Sequence, residues 1–196
     1  MRPSRALATS LSAPAEQRRW RYQVLPTLRG TVLDVGAGSG ICGAALDPRA
    51  HWLALEPSPG RRLAAAVRAR SRSRLLSATA EQIPLEDGSV DAVICSTVLC
   101  SVTDPPRALT EILRVLRHHG RLVFFEHVAS APGTAAHRAQ RLVRPLTRLL
   151  GHGCDPCRDT AATIYRAGFS AVELETLRTG GPLGGLAPVI RGQAVR

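Results

Sequence analysis

No stretch constrains this chain more than Thr31 to Gly40, TVLDVGAGSG. Its β-branched, apolar opening lacks polar alternation, as in a strand buried on both faces, and the ICGAALD after the glycines reads as a helix. A glycine loop between strand and helix builds a ligand site at the carboxyl edge of a sheet. What it holds follows from what it lacks. A dinucleotide loop carries G-x-G-x-x-G, but here Gly36, Gly38 and Gly40 alternate and Ile41 stands where the third glycine belongs. A triphosphate loop needs a lysine, and all 26 Lys and Arg residues are arginine. Asp34 sits beside the loop, where a carboxylate repels pyrophosphate and attracts an ammonium group. Glu56 ends the next strand, HWLALE, about twenty residues after Gly36, where an acid accepts both hydroxyls of a ribose. The pattern favours a phosphate-free adenosine with a cationic tail.

Strand and helix patterns alternate along the rest of the chain, which predicts an α/β fold: a doubly wound, mostly parallel sheet with helices on both faces. Residues 14 to 28 read as a helix with Trp20, Val24 and Leu28 on one face, packed on the domain or roofing its site. Ser58 and Pro59 open a helix over GRRLAAAVRAR, and RLLSA and VDAVICS follow as strands. Asp104 and Pro105 start the helix PRALTEILRVLRHHG, with Leu109, Ile112, Leu113 and Leu116 as its stripe and Gly120 as its end. RLVFFEHV is a strand, 134 to 150 a basic amphipathic helix, and Asp155-Pro156 opens a helix that ends at Gly168. SAVELETL and VIRGQAV close the chain as strands, joined by the flexible TGGPLGG at 179 to 185. At 196 residues this is a single domain: a helical cap over 1–29, a ligand-binding core over 30–130, and acceptor-side helices with the last strands over 131–196.

A net charge of +11 raises the question of nucleic acid, but aromatics make up only 4%, too few for stacking surfaces. The arginines at 61, 62, 68, 70, 72 and 74, and at 138, 141, 144 and 148, read as solvated helix faces, and no specific nucleic-acid partner is expected. Five scattered cysteines, Cys42, Cys95, Cys100, Cys154 and Cys157, argue for reduced thiols and a cytoplasmic setting. No apolar run has the length of a membrane span.

LDVGAGSG and Glu56 together resemble the class I S-adenosylmethionine-dependent methyltransferases with a type 11 domain. ATAEQIPLEDGSVDAVIC and EILRVLRHHGRLVFFEH resemble that family's later motifs, with Thr79 in place of a frequent aspartate and His118-His119-Gly120 in place of a basic-proline-glycine turn. The resemblance implies a Rossmann-like seven-stranded sheet, S-adenosylmethionine as cofactor and S-adenosylhomocysteine as product. It also implies cofactor contacts at Asp34, Gly36, Ala37, Gly38, Gly40, Glu56, Pro57, Ala80, Glu81, Ser96 and Thr97.

At the point where nucleic-acid amino-methyltransferases carry an Asn/Asp-Pro-Pro-aromatic clamp, this chain has STVLC, and Asp104-Pro105-Pro106 is a helix start. An apolar, thiol-bearing segment there suits a small lipophilic acceptor. VICSTVLCSVTDPPRALTEILRVLR, FFEHVA and GHGCDPCRDTAATIYRAGFSAVELE are similar to the alkyl-thiol S-methyltransferases of animals and their bacterial relatives. A thiol is therefore the preferred acceptor. Alternatives are C- or O-methylation of a quinone, lipid or secondary metabolite, or a non-catalytic basic module binding RNA or anionic membrane. His127 reads either as the base that takes the thiol proton or as a strand-end residue bonded to backbone, with Glu126 orienting it or facing away. His152, Cys154 and Cys157 form H-x-C-x-x-C, a pattern open to zinc or to dithiol cycling, although no metal is expected. The animal enzymes begin with a hydrophobic anchor absent from this sequence, so any membrane contact is expected to be peripheral, through 134–150.

Overall fold

The computed structural model describes residues 12–150, 153–177 and 188–196; His152 and the glycine-rich connection at 179–185 lie outside the described residues. Among the described residues seven strands form one sheet: β1 (Thr31–Val35), β2 (His51–Leu55), β3 (Ser73–Leu76), β4 (Val90–Ser96), β5 (Leu116–His127), β6 (Ala171–Leu177) and β7 (Val189–Val195). Their order is β3-β2-β1-β4-β5-β7-β6, with β1 to β5 parallel and β7 antiparallel to both neighbours. The helices are α1 (Ala13–Val24), α2 (Ile41–Ala45), α3 (Arg61–Ala69), α4 (Pro105–Val115), α5 (Ala135–Leu150) and α6 (Thr160–Arg166).

Both faces of the central strands are covered, which is why those strands lack polar alternation. Val32, Trp52, Ala54, Ile94 and Phe125 pack with Trp20 of α1, Cys42 of α2 and Leu63 of α3. Leu33, Leu53, Val93 and Phe124 point the other way, onto Leu109 and Ile112 of α4 and Ile164 of α6. The strand order reverses between β1 and β4, so the loops leaving their carboxyl ends diverge and open a crevice there.

Several boundaries differ from the sequence expectation. Pro26 ends α1 early: one 3-10 turn, Leu25–Thr27, follows, and Leu28 is buried beyond the helix rather than on it. α3 starts after Gly60 with no side-chain cap, so Ser58 does not cap it. α4 begins at Pro105 as read, with the Asp104 carboxylate accepting the Arg107 N–H at 3.0 Å, but stops at Val115 rather than Gly120. Leu116 is fully buried and already pairs with Val90, so the sheet captures the chain five residues sooner than glycine would release the helix. The His118-His119-Gly120 segment is then a kink inside β5, with His119 at φ 62°. α6 is capped by Asp159, which accepts the Ala162 N–H at 2.9 Å, whereas Asp155 is buried and ion-paired with Arg144.

Candidate active site

The crevice between β1 and β4 deepens into a cavity of about 870 Å³, within the range of roughly 300–1,000 Å³ common for small-molecule sites. Gly36, Ala37 and Gly38 form its floor, Glu56 and Pro57 one rim, Ala80 and Glu81 another, and Ser96 and Thr97 the edge after β4. Gly36 has φ 64°, and a Cβ there would stand 2.4 Å from Val98 Cγ2, so the backbone meets the post-β4 turn where a side chain has no room. The Glu56 carboxylate accepts the Gly38 N–H at 3.0 Å and fastens the loop to the end of β2.

Two residues of the implied cofactor set lie elsewhere. Gly40, at φ 83°, faces Ala66, Trp52 and Leu63 beneath α2. Asp34 is 1% exposed, accepts a hydrogen bond from Trp52 Nε1 at 3.2 Å and does not line the cavity. Burial pushes its carboxyl up to about 7, against the pull of the Trp52 hydrogen bond and of Arg21. The direct contact with an ammonium group inferred from the sequence is therefore corrected. Strand alternation turns Asp34 to the Trp52 side, under the loop rather than into it.

α1 contributes two cavity residues, Gln17 and Arg21, one helical turn apart. Gln17 Nε2 donates to Ser96 Oγ at 3.0 Å and latches α1 over the post-β4 turn. Arg21 is 7% exposed, and its Nε has no partner. A buried guanidinium N–H without a partner is costly unless an acceptor meets it. The sequence pattern marks α1 as packed on the domain or roofing its site without singling these residues out; their i, i+4 spacing beside an apolar helix face is the available signal.

At the far edge, Thr97 takes φ 59°, and its N–H donates to Phe125 O at 2.7 Å. The next three residues are held from below. Glu126 is fully buried, with Oε1 accepting the N–H groups of Val98 (2.9 Å) and Leu99 (3.0 Å) and Oε2 that of Cys100 (3.3 Å). It therefore shapes the turn and does not orient His127, whose side chain leaves the strand on the opposite side. Burial, followed by the Cys100 thiol, pushes Glu126 up to about 8 against the pull of the three N–H groups. Glu81 accepts the N–H groups of Thr103 (2.9 Å) and Asp104 (3.1 Å), joining the rim to the start of α4.

His127 is not among the cavity-lining residues. Its Nδ1 lies 4.0 Å from Cys100 Sγ and 3.8 Å from Cys154 Sγ, and the two sulfurs are 3.5 Å apart. The contact with Cys154, then burial, pushes Cys100 up to about 12; the contact with Cys100 lowers Cys154 despite burial. Ser101, which lines the cavity, has its Oγ 3.6 Å from Cys100 Sγ, so this cluster stands just behind the wall. Cys157 stays outside it, and His152, the remaining member of the H-x-C-x-x-C pattern, lies outside the described residues.

Residues 33–124 match the model of a methyltransferase domain. Thiol S-methyltransferase TMT1B of Homo sapiens is 35% identical over 173 residues, 84% of this chain and 70% of the relative. The Rattus norvegicus TMT1B is 32% identical over 179 residues, 86% of this chain and 73% of the relative. The chain belongs to the S-adenosylmethionine-dependent methyltransferases. Among solved structures, a SAM-dependent methyltransferase of Thermotoga maritima described as a possible histamine N-methyltransferase superposes with a TM-score of 0.61. It is 25% identical, over 92% of this chain and 95% of its own. The cofactor of this methyltransferase is S-adenosylmethionine, and the cavity suits it: the floor is glycine, no lysine stands there to hold a phosphate, and the buried Arg21 lines it. Among the described residues no helix is long and apolar enough to cross a membrane.

Proposed function

We propose that this methyltransferase methylates the sulfur of a small lipophilic thiol. The observation that carries the reading is the similarity to thiol S-methyltransferases over more than four-fifths of the chain. The segment after β4 supports it, being apolar and thiol-bearing (Val98, Leu99, Cys100) with no aromatic clamp for a nucleobase. When bound, the cofactor supplies an electrophilic methyl on a sulfonium. In this proposal Glu56 holds the ribose hydroxyls, Ala80 borders the adenine, the Gly36–Gly38 backbone faces the methionine part, and Arg21 pairs with the carboxylate. A thiol of pKa about 8.5 needs only modest help to lose its proton, and His127 is the residue assigned to that activation.

Incubation with labelled cofactor and a panel of alkyl thiols, phenols and quinols tests the acceptor. Transfer to thiols, reduced in His127→Gln with cofactor affinity unchanged, supports the assignment. Labelling of only phenols or quinols overturns it in favour of O- or C-methylation. α5 leaves Leu142, Leu146 and Leu149 exposed near Arg138, Arg141 and Arg148. We include peripheral contact with an anionic bilayer in the proposal, as an entry side for lipophilic acceptors. Co-sedimentation with phosphatidylserine vesicles that is lost on Leu142→Ser/Leu149→Ser supports it, and no sedimentation removes it.

A further inference from the structure

We propose that Cys100 Sγ, Cys154 Sγ and His127 Nδ1 hold a zinc ion. The three atoms come from three separate segments, the turn after β4, the end of β5 and the stretch before α6, yet all lie within 4.8 Å of one another. Their separations, 3.5 Å between sulfurs and 3.8 and 4.0 Å from sulfur to nitrogen, form a nearly equilateral triangle. Zinc bonds of about 2.3 Å to sulfur and about 2.0 Å to nitrogen at tetrahedral angles require edges of about 3.8 Å and about 3.5 Å. A few tenths of an ångström of side-chain movement close the difference. Two thiolates and an imidazole are the donor set that selects zinc among the abundant divalent ions, and their charges neutralise it within a half-buried site.

The ligand-bearing backbone is already fixed. Glu126 accepts the Cys100 N–H, Asp155 N–H donates to Cys100 O at 2.9 Å, and Thr160 Oγ1 donates to His127 O at 3.1 Å. Arg158 Nη1 adds bonds to the carbonyls of Leu99 (2.9 Å) and Val102 (2.6 Å), tying the Cys154 segment to the Cys100 turn. Such outer bonds orient metal ligands. Binding is a substitution without redox change: both thiols release their protons to solvent as two Zn–S bonds replace two zinc-bound waters, and the imidazole nitrogen displaces a third. One consequence rests on the thiol reading above: with zinc bound, the activation assigned to His127 would be exerted through the metal it holds, so His127→Gln would lower zinc content together with thiol methylation.

Metal analysis and cobalt substitution test this without an activity assay. Protein purified reduced and without chelator is expected to carry about one zinc per chain, falling below about one-tenth in Cys100→Ser and Cys154→Ser and unchanged in Cys157→Ser. Cobalt-loaded protein is expected to show intense sulfur-to-cobalt charge-transfer absorption that Cys154→Ser abolishes. Circular dichroism confirms that each variant is folded, and Cys154→Ser, in a partly exposed segment, decides the matter if Cys100→Ser is not. Absence of stoichiometric metal after reconstitution overturns the proposal, as does a Cys100–Cys154 disulfide as the stable state of freshly purified protein. Bound zinc with no thiol methylation leaves the metal site standing and removes the thiol acceptor instead.

Discussion

Glu126→Ala and Glu126→Gln separate two contributions of one buried carboxyl. Alanine leaves three N–H groups without an acceptor, those of Leu99 and Cys100 in fully buried surroundings. Each buried donor so orphaned costs about 1–3 kcal/mol, so Glu126→Ala is expected to lose about 3–5 kcal/mol, a large part of a typical domain's stability. Glutamine keeps an oxygen for the two shorter bonds and loses only the 3.3 Å contact to Cys100, for a loss of about 1 kcal/mol. The pH profile supplies a second, independent readout. Glu126 is raised to about 8, so the fold favours its protonated form. That contribution is whole below the ordinary carboxylate range and is lost as pH rises through about 8, a difference of up to about 5 kcal/mol. Urea denaturation between pH 5 and 9 is the assay. Wild-type stability is expected to fall across this range, and Glu126→Gln to fall less, with Asp34, raised to about 7 by burial, supplying the remaining slope. A Glu126→Ala loss under about 1 kcal/mol, or identical pH slopes for wild type and Glu126→Gln, refutes the reasoning.

Arg21→Gln removes the buried charge assigned to the cofactor carboxylate; calorimetry with S-adenosylhomocysteine is expected to show affinity about ten- to a hundredfold weaker, the worth of one charge-assisted hydrogen bond. Unchanged affinity discards that contact. Gly36→Ala and Gly38→Ala share a left-handed backbone, φ 64° and 55°, but differ in space: the first meets Val98 Cγ2 at 2.4 Å, the second only Gly36 O at 3.8 Å. Gly38→Ala is expected to cost about 1–2 kcal/mol of stability with modest loss of cofactor affinity, while Gly36→Ala moves the post-β4 turn and loses both. Equal effects contradict the close approach of loop and turn.

What the sequence made legible were features carried by neighbours along the chain. β-branched runs marked β1 and β4, Asp104 and Pro105 marked the start of α4, and the glycine spacing with Glu56 narrowed the cofactor before any fold was known. The errors fall where a distant partner outweighs a local signal. Gly120 looked like a helix end, but Leu116 is drawn into the sheet by Val90; Asp155-Pro156 looked like a helix start, but Arg144 takes the Asp155 carboxylate and Asp159 caps instead. Asp34 erred by direction alone, since one step along a strand decides between cavity and core. The acceptor side was least legible, for its parts are not neighbours in sequence. Cys154 was read with Cys157, three positions on, yet in the fold it meets His127 and Cys100, 27 and 54 positions back. The parallel alignment of β4 and β5, whose last pair is Ser96 and Phe125, brings Cys100 and His127 to one edge, and the Asp155 and Arg158 bonds to the Cys100 turn bring Cys154 there. A local thiol motif was thus the visible fragment of a cluster completed by sheet topology, and the reactivity of Cys154 belongs to that edge rather than to its own loop.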